Sequence, residues 1–281
     1  MISEEYQQYR QAWESYPKEC YVSQFPLHLD IELTTRCNLS CDMCPFHSEN
    51  APFKPEEEVD MDFKLYKKII DEGSKKGLKS IKLNYRGEPL LYKQLPEAIR
   101  YAKKKGIIDV QLNTNATLLT SNLAKELVNS GLDLLIITDY NFNLQLKNAR
   151  YFNKLKNGRA KPKVRVQTEF PMRWVWFVDE AVKPIYYDYH CIEEVFDKSD
   201  FKCSFPFLRL LILANGMIMK CSCGTVYPEK YLGFVQDWDI ESYWHHKQMK
   251  FLRTCHEDRS SELVRICRVC PMRNEYIRGK K

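Results

Sequence analysis

The sequence predicts an α/β chain: an open, partial (β/α)6 barrel followed by a smaller C-terminal β-hairpin and helix. Three observations carry this. From about residue 28 to 190, short apolar runs alternate with longer helix-like segments, as βαβ units around a parallel sheet require. Those helix-like segments each close on glycine, the residue a helix C-terminus favours. After residue 200 the alternation stops, and "LRLLILANGMIMKCS" reads as two β-like runs around Asn215-Gly216, a hairpin signal.

Taken in order, the expected strands are residues 28–33, 80–85, 108–114, 134–139, 164–170 and 185–190. Between them, "DFKLYKKIIDEGSKKG", "LPEAIRYAKKKG" and "SNLAKELVNSG" carry apolar residues at helical spacing. These units are too few to close an eight-stranded barrel. A TIM-like partial barrel follows, with functional residues expected at the C-terminal ends of its strands. The expected organisation is an N-terminal extension over 1–27, the barrel over 28–195, and a metal-bearing appendage over 196–281, which includes the helix-like "IESYWHHKQMKFLRT".

Composition narrows the function classes. With 281 residues, 44% of them hydrophobic and 28% charged, the chain buries a real core, which excludes a disordered chain. The start, "MISEEYQQYRQAWESYPKEC", is polar and lacks an apolar targeting segment, and no run approaches the roughly 18 apolar residues of a membrane span. A cytoplasmic protein with no membrane partner is expected. The net charge of +6 is interspersed apart from short runs such as "YAKKKG", and no nucleic-acid motif accompanies it. Eleven cysteines in such a protein favour metal ligation over disulfides, and the odd count argues against complete pairing.

The sharpest pattern is "TTRCNLSCDMCPF", where Cys37, Cys41 and Cys44 stand as C-x3-C-x2-C on the loop leaving the first strand. Three thiolates on one loop hold three corners of a cubane, whereas four close a [4Fe-4S] centre, so one iron is left open. A zinc knuckle is the alternative, but it needs four ligands, usually as two separated pairs, and His47 is the nearest further candidate. In "VRVQTEF" the two-residue period sets Val164, Val166 and Thr168 on one face and Arg165, Gln167 and Glu169 on the other. The polar face looks into the barrel, so Arg165, Gln167 and Glu169 are candidates for substrate contact or proton transfer; pairing with neighbouring strands is the other account.

"CNLSCDMC" resembles the C-x3-C-x2-C loop of the radical S-adenosylmethionine (radical SAM) enzymes. The resemblance implies a [4Fe-4S] cluster on Cys37, Cys41 and Cys44 whose open iron chelates S-adenosylmethionine, with Met43 against the adenine. "YRGEPLL" is similar to the family's G-G-E-P segment, which implies cofactor contacts at Gly87, Glu88 and Pro89; Arg86 stands where the first glycine usually is. "LNTNATLL" resembles the T-N-G strand end, with Ala116 for glycine, and implies Asn113, Thr114 and Asn115 near the ribose. "IITDY" resembles the S-x-D strand end and implies Thr138 and Asp139 near the cofactor.

The C-terminal cysteines extend the resemblance. Cys203 and Cys221 flank the hairpin as C-x12-G-x4-C, and Cys267 and Cys270 form C-x2-C. The arrangement resembles the auxiliary-cluster region of the SPASM and twitch radical enzymes, in the shorter, one-cluster twitch form. It implies a second [4Fe-4S] cluster on these four thiolates, with Cys223 able to replace Cys221 and Cys255 spare. The layout is similar to that of the aminocyclitol dehydrogenases of the butirosin pathway. It implies that a 5′-deoxyadenosyl radical abstracts hydrogen from a small polar substrate, a sugar, cyclitol or nucleotide-sugar, and oxidises a secondary alcohol as the auxiliary cluster accepts an electron. An external one-electron reductant such as flavodoxin or ferredoxin is the other implied partner. A peptide-modifying enzyme of the same superfamily and a non-catalytic zinc-binding module are the alternatives.

Overall fold

A computed structural model describes residues 3–42, 44–51, 53–139, 144–156, 161–169, 172–176, 181–182, 201–222, 230–270 and 272–273. Strand β1 (His28–Ile31) sits near the middle of the sheet and is buried along its whole length. The two-residue period sends Leu29, Ile31 and Leu33 into the main apolar core and His28, Asp30 and Glu32, also buried, to the opposite face. That polar face is the barrel interior.

Strands β2 (Ser80–Lys82), β3 (Asp109–Thr114), β4 (Leu134–Asp139) and β5 (Lys163–Glu169) follow in parallel order. Helices α2 (Phe63–Lys75), α3 (Leu95–Lys104), α4 (Ser121–Asn129) and α5 (Leu144–Leu155) form the crossovers. Asp62 caps α2 by accepting from the Lys64 and Leu65 amides, and Thr120 caps α4 through the Leu123 amide. Gly77, Gly106 and Gly131 follow α2, α3 and α4 with φ near +90°, so the glycine closures seen in the sequence are left-handed C-terminal residues. Tyr66, Ile69 and Ile70 of α2 and Ala98, Ile99 and Ala102 of α3 fill the core against the sheet.

The chain then departs from simple alternation. β6 (Met172–Trp176) returns antiparallel to β5, and β7 (Ala181–Val182) pairs with β6. The expected strand at 185–190 lies outside the described residues. The sixth parallel strand among the described residues is β8 (Arg209–Ile212), which follows the short helix α6 (Phe205–Leu208) and pairs with β1 on the flank opposite β2. β9 (Met217–Met219) completes the Asn215-Gly216 hairpin, and β10 (Tyr231–Phe234) extends the sheet beyond it. The expected C-terminal hairpin is therefore present, and it continues the barrel sheet. Helices α7 (Ile240–Trp244), α8 (Lys247–Glu257) and α9 (Arg265–Arg268) follow.

Helix α1 (Glu4–Glu19) covers the N-terminal ends of the strands. Tyr9 Oη donates to Asp109 Oδ2 at 3.0 Å, and Trp13 meets the His28 ring edge-on at 5.4 Å. Because α1 covers that end, the opposite rim is the open one. Among the described residues no helix is long and apolar enough to cross a membrane.

Candidate functional site

The cysteine loop begins where β1 ends, and its base is held by one carboxylate. Asp60 accepts from Thr34 Oγ1 at 2.6 Å and from Arg36 Nε and Nη2 at 3.0 and 2.6 Å, while Arg36 Nη2 also reaches the Leu91 carbonyl at 3.0 Å. Beyond that anchor Cys37, Cys41 and Cys44 are half-buried thiols, not disulfides. Burial pushes the Cys37 thiol up, the Leu39 and Asn38 amides pull it down, and nearby Glu88 and Cys44 raise it further. Metal ligation offsets such a rise, because it takes the thiolate. Phe46, from the same loop, packs its ring 5.4 Å from Tyr85.

The segment after β2 lies directly on this loop. The Glu88 amide donates to the Arg36 carbonyl at 2.8 Å. A Cβ on Gly87 would stand 2.3 Å from the Thr34 carbonyl oxygen and 2.6 Å from that of Arg36, so only glycine permits the approach. Glu88 is 3% exposed. Its Oε1 accepts from Thr114 Oγ1 at 2.6 Å and from the Leu90 amide at 3.0 Å, and its Oε2 accepts from the Asn115 amide at 2.8 Å. Burial raises the Glu88 carboxyl, against the pull of these donors. Pro89 opens the 3-10 turn Pro89–Leu91 that Glu88 caps.

The end of β3 joins the same assembly. Asn115 Nδ2 donates to Asn38 Oδ1 at 3.0 Å, Asn38 Nδ2 donates to Thr117 Oγ1 at 2.7 Å, and that hydroxyl donates to Asn115 Oδ1 at 2.6 Å. This ring ties the residue after Cys37 to the β3 end. Ala116, in place of glycine, keeps a left-handed φ of 53°. Glu88 and Thr114 thus use each other as partners.

Asn113 Oδ1 and Asn84 Oδ1 are buried acceptors with no hydrogen-bond partner. Two orphaned oxygens on neighbouring strand ends suit a hydroxyl-bearing ligand such as a ribose. Three thiols on one loop beside them fit an S-adenosylmethionine-chelating [4Fe-4S] centre. On β5, Val164 and Val166 are in the core while Arg165 is on the other face, where burial pulls its guanidinium down to about 10. Thr138 is half-buried at the β4 end, in register with Gln167. Met43 lies outside the described residues, and the side chains of Asp139, Gln167 and Glu169 are likewise not described, although their backbones belong to β4 and β5.

A second set of thiols converges away from this loop. Cys203, Cys221, Cys267 and Cys270 line one cavity with His256, Arg273 and Leu252. Burial pushes the Cys267 thiol well up, and the neighbouring Cys221, Cys203 and Cys270 add to the rise; Cys203 is raised likewise by burial, Cys221 and Cys270. Burial and mutual proximity favour the neutral thiols, and this donor set could give up its protons to a bound metal centre. Among the described residues no three His, Cys, Asp or Glu side chains converge tightly enough to hold one metal ion. Cys223 lies outside the described residues, and Cys255, although buried on α8, does not line the cavity.

Sequence reasoning missed Asp60, Asn38, Glu32 and His256. Glu32 had a signal, since acidic residues at alternate positions of "LDIEL" mark a polar face on an otherwise apolar strand. The others had none, because their roles depend on partners distant in the chain.

An open parallel sheet with a cysteine loop at its C-terminal rim defines a class, and the comparisons agree with it. Residues 31–167 match the family model described as the Radical SAM superfamily, and over them the chain carries a radical SAM domain. Over 109 residues it is 40% identical to the tungsten-containing aldehyde ferredoxin oxidoreductase cofactor-modifying protein of Pyrococcus furiosus, covering 38% of this chain and 29% of that one. Over 136 residues it is 34% identical to GTP 3′,8-cyclase of Aquifex aeolicus, covering 46% and 39%. The chain therefore spans about a third of the length of these curated relatives. In fold it is similar to BtrN in complex with AdoMet and 2-DOIA, with a TM-score of 0.70 at 20% identity over 89% of this chain and 94% of that one. SuiB of Streptococcus suis bound to S-adenosylmethionine gives a TM-score of 0.61 at 18% identity over 93% and 76%.

Proposed function

We propose that this chain is a two-cluster radical SAM enzyme that oxidises a secondary alcohol of a small polyhydroxylated molecule, a sugar or cyclitol. The observation that supports it most is the coexistence of two separate thiol sets, Cys37/Cys41/Cys44 on the barrel rim and Cys203/Cys221/Cys267/Cys270 around one cavity. Cys37, Cys41 and Cys44 would hold a [4Fe-4S] centre that, with S-adenosylmethionine, would supply hydrogen-abstracting radical chemistry. The second set would hold an auxiliary [4Fe-4S] centre, which would supply one-electron acceptance.

The chain's own residues position and protect. Met43, Gly87, Pro89, Asn113, Asn115, Thr138 and Asp139 form the cofactor cradle, and Glu88 and Thr114 lock the strand ends that carry it. Asn84 and Asn113 accept from ligand hydroxyls through their orphaned oxygens. Oxidising a secondary alcohol to a carbonyl removes one hydrogen atom, one electron and one proton. The radical chemistry would account for the hydrogen atom and an auxiliary centre for the electron. Of the β5 triplet, Glu169 is the group able to take the proton, with Arg165 and Gln167 orienting the substrate. BtrN, the structural neighbour carrying AdoMet and 2-DOIA, supports the small-molecule reading. The setting is the cytoplasm, with flavodoxin or ferredoxin as reductant.

The test is anaerobic reconstitution of the wild type and of the Cys37→Ala/Cys41→Ala/Cys44→Ala variant. About eight irons per chain falling to about four, with 5′-deoxyadenosine formed by the wild type from S-adenosylmethionine and dithionite, is the expected result. Zinc in place of iron with no cofactor cleavage overturns it.

A further inference from the structure

We propose that His256 is a positioning residue for the auxiliary centre, donating its Nε2–H to Cys267 Sγ and thereby raising that centre's reduction potential. The inference rests on the two-cluster reading and adds a residue to it. His256 lies near the end of α8 and is 1% exposed. Its Nδ1 stands 3.4 Å from the Cys203 backbone nitrogen, and its Nε2 stands 3.5 Å from Cys267 Sγ. The ring thus bridges two of the four lining cysteines, one through its main chain and one through its sulfur.

Two main-chain groups meet the ring, the Cys203 amide at Nδ1 and Phe201, and the proposed tautomer is the one in which Nδ1 accepts from the Cys203 amide. The Cys203 amide hydrogen points at Nδ1, and because an amide N–H can only donate, this tautomer puts the lone pair on Nδ1. A neutral ring then bears its single proton on Nε2, the atom facing sulfur. A ligating thiolate can only accept, so the two groups are matched as an N–H···S hydrogen bond. Such a bond withdraws electron density from the thiolate and favours the reduced, more negative cluster, which raises the potential. An electron acceptor for a substrate radical gains from that shift. A histidine buried only for packing would leave the potential unmoved.

The experiment uses the full chain with Cys37, Cys41 and Cys44 replaced by alanine, so that only the auxiliary centre is loaded. Its potential is measured by EPR-monitored titration with His256 intact and as His256→Leu and His256→Gln. The expected result is about four irons per chain in each, a reduction equilibrium about tenfold less favourable in the leucine variant (about 59 mV for one electron), and partial recovery with glutamine, whose amide also donates. An unchanged potential at full iron content overturns the inference. Where the leucine variant retains no iron, the decision falls to the parent chain carrying 15N-histidine. A histidine 15N coupling to the reduced centre supports the bond, and its absence overturns it. A parent chain that takes up no iron overturns the auxiliary-cluster reading itself, a failure distinct from an unmoved potential.

Discussion

Arg86 Nε and Nη2 each stand 2.7 Å from a different carboxylate oxygen of Glu32, which has no solvent exposure. Glu32 Oε1 also accepts from the Arg86 amide at 3.2 Å, and Oε2 accepts from the Ala214 amide at 3.1 Å. One carboxylate therefore joins β1, the segment after β2 and the end of β8. The arginine that breaks the glycine pattern of "YRGEPLL" is the counter-ion that permits this buried acid.

Arg86→Gly, which supplies the residue usual at that position, is expected to destabilise the fold by about 3–5 kcal/mol, because it strands a buried charge. Adding Glu32→Gln to it recovers much of the loss. Urea unfolding of the wild type, the two single variants and the double variant gives the coupling; additive losses would show that the pair does not act together.

Gly87→Ala is expected to prevent the close approach of the β2 end to the cysteine loop, since the new methyl meets two backbone carbonyls that have no rotamer to yield. A cost of about 3 kcal/mol is expected, at the upper end for overpacking, and on the two-cluster proposal iron is lost at Cys37, Cys41 and Cys44 and retained at the C-terminal cysteines. Thermal unfolding with iron analysis reads both effects. Wild-type stability and full iron content in this variant would contradict the contact.

Ala116 holds a left-handed backbone at φ 53° while fully buried. A β-branched residue is a true outlier there, so Ala116→Val is expected to lose about 2 kcal/mol or more from backbone strain of the usual size. Ala116→Gly trades relief of that strain against a more flexible unfolded chain and stays within about 1 kcal/mol of wild type. Denaturant midpoints of the two variants separate these outcomes.

His28 makes the low-pH limb of stability testable. Burial holds its ring below the ordinary value, against the opposing pull of Asp30, while Arg209 and Lys82 lower it further. Its Nδ1 faces Ser80 Oγ at 2.5 Å, and Nε2 faces Asp30 Oδ1 at 3.3 Å. The folded protein then binds fewer protons than the unfolded chain just below pH of about 6.5, so stability is full above that pH and falls as acid is added. Burial opposes the ionised form of Asp30, yet Lys82, Arg209 and His28 hold its carboxyl well below the usual range. Its contribution is therefore lost only below a pH of about 3.9. Urea midpoints between pH 7.5 and 5 should fall more steeply for wild type than for His28→Gln; equal slopes would refute the assignment.

What the sequence determined by itself is what short-range physics writes. The C-x3-C-x2-C spacing places three thiols on one loop whatever the rest of the chain does. Amphipathic periods, the glycine closures at Gly77, Gly106 and Gly131, and the Asn215-Gly216 turn follow from local sterics. The strand-end motifs were legible too, because they sit at fixed places relative to the apolar runs. The tertiary structure alone decided the rest. β8 pairs with β1 because any extended segment can satisfy the free backbone edge of that strand, and no local signal ranks those competitors. Glu88 turned out to serve Thr114 and Asn115, and Arg86 to serve Glu32, because a buried polar group is satisfied by whichever partner packing brings within reach. The gathering of Cys203, Cys221, Cys267 and Cys270, with His256 between the Cys203 amide and the Cys267 sulfur, has the same origin. Spacing singled out these cysteines, but only the folded chain could set the ring that faces one of them.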